Sequence, residues 1–159
     1  MVRRRRGVKT SATFEKIENV PIQVVYVSSE EGPGMEYGKN LVDGDPSTIW
    51  HTMYSITVPK YPHWIDFDCG EMKQIKGFSY LPRQDGGTNG NIKGYRVQLS
   101  ADGQNWTEPV VEGDFENSSK EKKVLLPKPQ KARYLRFTAL SSQNGADFAS
   151  GAEFNVLAE

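Results

Sequence analysis

The chain has 159 residues, 20 Lys and Arg against 20 Asp and Glu, a formal net charge of zero, and 36% hydrophobic and 11% aromatic content. Balanced charge excludes a phosphate backbone as the main electrostatic partner, so no nucleic acid is expected. Without an apolar run of the ~20 residues that a membrane helix needs, no membrane insertion is expected either. The length suits one domain that buries a core unaided, and a few large rings in a polar sequence favour an all-β module that works as a monomer.

Residues 1–12 carry Arg3 to Arg6 followed by Gly7, Lys9, Thr10 and Ser11, and read as a flexible basic tail or linker ahead of a domain at 13–159. The fold is expected to begin near Phe14, with Ile22, Val24 and Tyr26 alternating as one face of a first strand. Gly32-Pro33-Gly34 ends that strand in a loop. Tyr37 to Val42 fits a helical turn, and Asp43-Gly44-Asp45-Pro46 is strong turn chemistry, because Gly permits positive φ and Pro presets its own. The stretch Asn40 to Tyr54 then packs two carboxylates, a tight turn and a hydroxyl ahead of Trp50, His51 and Tyr54. One loop can thus hold a cation and also present a ligand-facing surface.

Pro59 and Pro62 argue against a strand over Thr52 to Tyr61, which reads as an exposed loop. His63 to Asp68 alternates, with Ile65 and Phe67 on one face and Trp64, Asp66 and Asp68 on the other, and Gly70 closes the strand. Ile75 to Leu81 is a further strand, and Gln84 to Asn91, with three glycines, two asparagines and an aspartate, is a turned loop. Gly94 to Ser100 alternates most cleanly, Asp102-Gly103 turns a hairpin, and Trp106 begins the return. Val110-Val111, Lys123 to Leu126, Arg133 to Ala139 and Glu153 to Leu157 supply the remaining strands. About eight short strands with no long helical period predict a β-sandwich or barrel. Trp50, Trp64 and Trp106 are assigned to the core or the strand scaffold.

Cys69 is the only cysteine, so no internal disulfide forms. Asp66 and Asp68 share a strand face, the pairing that glycoside hydrolysis would need, yet turn bonding at a strand end is the simpler role for Asp68. Neither Gly-x-Ser-x-Gly nor His-Glu-x-x-His occurs, and His51 and His63 are too few for a His-rich metal site. The chain therefore reads as a binding module and not as an enzyme.

The ordered pieces Asn-Leu-Val-Asp-Gly-Asp-Pro-Ser-Thr-Ile-Trp-His from Asn40, Trp-Ile-Asp-Phe-Asp-Cys-Gly from Trp64, Tyr-Leu-Pro-Arg from Tyr80, Tyr-Arg-Val-Gln-Leu-Ser-Ala-Asp-Gly-Gln-Asn-Trp from Tyr95, Ala-Arg-Tyr-Leu-Arg-Phe from Ala132 and Ser-Gly-Ala-Glu-Phe-Asn-Val from Ser150 resemble the coagulation factor 5/8 type C (discoidin) family. Within it the likeness is greatest to family 32 carbohydrate-binding modules, and it weakens N-terminally from Asn40 towards Ile22. The resemblance implies an all-β jelly-roll sandwich of the galactose-binding kind that recognises galactose-type sugars (Gal or GalNAc) on glycans. It also implies a place within a larger secreted glycoside hydrolase or adhesin, in a secreted, periplasmic or cell-surface setting. A discoidin-type module binding a protein or phospholipid through Met53, Tyr54, Ile56 and Val58 is the alternative.

By the same resemblance a structural Ca²⁺ would take backbone oxygens of Asn40, Asp45 and Ala152, the side chains of Asp43 and Glu153, and oxygens of Thr48. That donor set suits a hard cation wanting about six to eight oxygens. The ligand would meet His51 and Arg83 at an axial hydroxyl and a further bond from Asn89, with Asn91 as the alternative because the loop is a residue longer than usual. Phe148 would be the stacking ring and Tyr54 a second wall.

Overall fold

The computed structural model describes residues 17–159 and is built almost entirely of antiparallel strands. The basic run at Arg3 to Arg6, the boundary near residue 12 and the start at Phe14 lie outside the described residues. The strands are β1 (Glu18–Val20), β2 (Gln23–Val27), β3 (Trp50–His51), β4 (His63–Leu81), β5 (Gly94–Ser100), β6 (Val111–Asp114), β7 (Lys122–Ala139), β8 (Ser150–Gly151) and β9 (Glu153–Ala158). A 3-10 turn at Gly38–Val42 stands where the helical turn is expected, and the chain from Thr52 to Tyr61 carries no strand.

Two long bent strands organise the sandwich. β4 and β7 pair along their length, but β4 shifts register between Asp68 and Lys73 and again between Ile75 and Gly77. Its first half meets β2 and the end of β7, while its second half meets β9 and the start of β7. The two halves belong to opposite layers, so Phe67 stacks on Phe154 at 4.4 Å and Phe137 lies 5.1 Å from the same ring. Fully buried Trp50, Tyr80, Phe78, Ile65, Leu99 and Leu135 fill the space between. Burial of such large rings and branched chains is the main stabilising force of a module with no disulfide. Burial pushes the thiol of free Cys69 up to about 11, which keeps it inert.

The structure corrects several expected boundaries. Gly70 does not close a strand: it sits at φ 84 inside the bend of β4, where a residue without Cβ lets the chain turn the corner. Lys123 to Leu126 and Arg133 to Ala139 are parts of the one strand β7. Tyr26 leaves the face of Ile22 and Val24, because a bulge between Val24 and Tyr26 moves the next core contact to Val27 and leaves Tyr26 stacked on Trp64 at 6.1 Å. Trp106 does not begin the return strand; its ring lies 4.3 Å from the Arg136 guanidinium on the outer face of the sheet, and β6 starts only at Val111. β1, which pairs with the end of β9, carries too few apolar residues to be visible in the sequence.

Candidate functional site

Five of the sequence-derived positions, His51, Tyr54, Arg83, Asn89 and Phe148, line one cavity of about 260 Å³ at the loop end of the sandwich, together with Glu36. They come from four separate chain segments, and each is held by a different device.

His51 is fixed from both sides. Its backbone N–H donates to Glu36 O at 3.2 Å, Glu31 N–H donates to His51 O at 2.9 Å, and β3 pairs His51 with Ser150 of β8. The ring places Nδ1 2.6 Å from Thr52 O. A carbonyl only accepts, so Nδ1 carries the proton and Nε2 of the neutral ring remains as an acceptor. Burial pushes the imidazole below the ordinary histidine value, and nearby Arg83 acts in the same direction.

Arg83 is clamped by a residue that the sequence reading passes over. Asp85 accepts from Arg83 Nε and Nη2, both at 2.8 Å, and Arg83 Nη1 donates to Asn89 O at 3.0 Å. The Arg83 guanidinium and the Gly87 N–H hold the Asp85 carboxyl down at about 2. A fork held bidentately is pre-oriented, and its outer N–H groups stay available to a ligand. The Arg-x-Asp spacing followed by glycines is the signal that could have shown it.

Asn89 owes its position to Gly90. Gly90 has φ 90, and a Cβ there would lie 2.4 Å from Ser150 Oγ, so only glycine lets this loop approach β8. Asn144 Nδ2 donates to Asn89 Oδ1 at 3.0 Å, which leaves the Asn89 amide N–H groups as donors. Asn91 is not among the lining residues; its backbone N–H bonds to Thr88 O instead.

The apolar wall comes from Tyr54 and Phe148, whose rings lie 4.8 Å and 5.2 Å from that of His51. Phe148 is half-buried and not a core residue; Tyr61 donates to Phe148 O, and the His63 ring bonds Asp147 O at 2.7 Å. Buried Glu31 supports Tyr54: Oε1 accepts the N–H groups of Tyr54 at 2.9 Å and Ser55 at 3.0 Å, and Oε2 accepts the Ser55 hydroxyl at 2.7 Å. These bonds hold the Glu31 carboxyl at about 2. Glu36 accepts from the Tyr54 hydroxyl at 3.1 Å. Neither glutamate stands in a recognisable motif, since the bridge joining Glu31 to Glu36 is a tertiary feature of a Gly-Pro-Gly loop.

A larger cleft of about 510 Å³ crosses the outer sheet face between Tyr26, Trp64, Trp106, Tyr134 and Arg136. Its charged groups are already engaged, since Arg136 grips Asp66 at 2.7 and 2.9 Å and Asp102 accepts the N–H groups of Gln104 and Asn105 at 2.9 Å. Arg133 grips Asp68 in the same way at 2.8 and 3.0 Å. Asp66 and Asp68 are therefore cross-strand clamps, with Asp68 also taking the Gly70 N–H at 2.7 Å.

The oxygen-rich loop lies at one edge of the same end. Thr48 Oγ1 is 2.5 Å from Asp43 Oδ2 and 3.0 Å from Asp45 O, and the Asp45 carboxylate is occupied by Ser47. Asn40 spends its side-chain amide on Met35 O and Ile49 O at 3.0 and 2.8 Å, and Ala152 N–H donates to Leu81 O at 2.8 Å. Glu153 Oε2 is buried without a hydrogen-bond partner, and its carboxyl is pushed up to about 7 by burial and by facing Asp43. Among the described residues no cluster of three or more His, Cys, Asp or Glu has metal-binding spacing. Two facing carboxylates, an orphaned buried oxygen, a hydroxyl and main-chain carbonyls nevertheless fit a hard cation.

An F5/8 type C domain model matches residues 24–154. A sialidase from Micromonospora viridifaciens is 36% identical over 149 residues, covering 92% of this chain but 23% of that protein. The chain spans less than a quarter of that relative. Among solved structures, the module CBM32-3 from a family 31 glycoside hydrolase of Clostridium perfringens superposes with TM-score 0.81 at 30% identity, covering 93% of this chain and 98% of the other. The C. perfringens module CpGH89CBM32-5, in complex with GalNAc-β-1,3-galactose, superposes with TM-score 0.78 at 33% identity, covering 87% and 99%.

Proposed function

The chain belongs to the F5/8 type C domain family, and we propose that it is a non-catalytic carbohydrate-binding module whose loop-end cavity takes a galactose-type sugar. The convergence of neutral His51, clamped Arg83, Asn89, Tyr54 and Phe148 on one cavity carries this reading. A pyranose presents hydroxyls that both donate and accept, and a C–H face that packs on a ring. His51 Nε2 and Glu36 accept here, the Arg83 fork and the Asn89 amide donate, and Phe148 supplies the ring. An axial hydroxyl lodged between His51 and Arg83 would separate galactose from its equatorial epimer, glucose. The sugar complex of the similar C. perfringens module supports the same class of ligand.

A single shallow site binds weakly, on the order of −4 kcal/mol or a millimolar dissociation constant. Its use is then to tether a larger secreted or cell-surface glycosidase or adhesin and raise local substrate concentration. A glycan array followed by calorimetric titration tests this. Galactose-terminated glycans should bind, glucose should not, and Arg83→Ala should abolish the signal; silence on every glycan would overturn the reading.

The structural ion proposed with it is Ca²⁺, held by the Asp43 and Glu153 carboxylates, Thr48 and the backbone oxygens of Asn40, Asp45 and Ala152. When bound, it would neutralise two facing carboxylates and tie the loop before β3 to β9. A second reading, adhesion to a protein or phospholipid, rests on Ile56 and Val58, which are 71% and 46% exposed beside Tyr54. Liposome binding lost on Ile56→Asp, with no glycan bound, would favour it.

A further inference from the structure

We infer that the cavity selects its sugar by charge, taking a cationic 2-amino galactoside before a neutral one and a neutral one before an anionic uronate, with Glu36 as the selecting residue. This deepens the sugar-binding reading and rests on it. Glu36 and Arg83 are the two charged side chains of the lining. Arg83 carries no free charge, because Asp85 holds it bidentately at 2.8 Å. Glu36, in contrast, forms no ion pair among the described residues and meets only the Tyr54 hydroxyl.

Behind Tyr54 lies Glu31, buried and ionised by its three hydrogen bonds. His51 adds nothing positive, since its proton sits on Nδ1 towards Thr52 O and its ring is neutral. Lys60 is not part of the lining and turns to Asp147 at 3.6 Å. Glu36 thus lines a cavity the size of one sugar ring, with Asp85 and Glu31 standing just outside the lining, against the single guanidinium of Arg83. At ordinary ionic strength screening extends over roughly 8–10 Å, so any charged substituent on a pyranose seated there falls inside the field. At the intermediate dielectric of a surface cleft a residual unit charge separates cation from neutral ligand by about threefold to tenfold.

The test is titration of the full chain, followed by NMR, with galactose, galactosamine and galacturonic acid at about pH 6.5, where the amine is protonated. It is run at about 20 mM and about 500 mM salt, on wild type and on Glu36→Gln. The expected order is galactosamine, galactose, galacturonate, with about threefold or more between steps, compressed at high salt. In Glu36→Gln, galactosamine should fall towards galactose. Galacturonate equal to galactose, or an order unchanged in Glu36→Gln, would overturn the inference while leaving the sugar reading intact. Failure of all three to bind would overturn both. If Glu36→Gln does not fold, salt compression in the wild type decides alone.

Discussion

At the scale of single residues, the site works through partners that set protonation and orientation. Asp85 is the clearest case: Asp85→Ala removes both Arg83 fork bonds, and charge-assisted bonds are worth about 1.5–3 kcal/mol each. Galactose affinity should fall at least about tenfold by calorimetry, and the unfolding midpoint should fall by a few degrees with the loss of the fork. An unaltered affinity would mean Arg83 needs no clamp. Glu31 sets the pH response. Its carboxyl sits below the unfolded value of 4.5, so its stabilisation is complete above about 4.5 and is lost as pH falls towards 2. His51, held below 6.5, acts in the same sense, because the unfolded chain takes up that proton first as pH drops below 6.5. The thermal midpoint should therefore fall below about pH 6.5 through His51 and fall again between about pH 4.5 and pH 2 through Glu31, and Glu31→Gln should lower it at pH 7 and flatten that second fall. Identical pH profiles for the two proteins would exclude Glu31 as the group responsible.

At the scale of elements, loops placed by strand pairs bring the site together, and single backbone positions decide whether they can meet. Gly90→Ala forces a Cβ against Ser150 at a positive φ. It should cost roughly 1–3 kcal/mol in chemical denaturation and displace Asn89, weakening sugar binding. Asp66→Asn breaks the fork to Arg136 on β7; it should lower stability and leave galactose affinity unchanged, as a scaffold clamp remote from the cavity requires. The alternating strand Gly94–Ser100, the Asp-Gly turns and the family-like spacing made much of this legible from residues alone. What the sequence hid was tertiary. The bulge after Val24, the corner at Gly70 and the continuous β4 and β7 depend on neighbouring strands and not on local propensity. In the same way, Asp85, Glu31 and Glu36 matter through contacts across loops that no local pattern marks.

At the scale of the whole molecule, the sandwich separates two tasks. Outer-face ladders such as Trp64, Arg136 and Trp106 stiffen the sheet, while the loop end carries the cavity and the oxygen-rich turn. If a cation joins Asp43 to Glu153, it stabilises the fold by mass action, about 2.7 kcal/mol at a hundredfold excess over its dissociation constant. Added Ca²⁺ should raise the thermal midpoint by several degrees and chelator should reverse it; Asp43→Ala should abolish the shift, and a midpoint indifferent to both would contradict a structural ion.

The central claim, that the loop-end cavity is the sugar site, is tested most directly by mapping amide and side-chain NMR shifts on addition of galactose. Shifts should cluster at His51, Tyr54, Arg83, Asn89 and Phe148. Shifts confined to Trp64, Trp106 and Arg136 on the sheet face, or none at millimolar sugar, would contradict it.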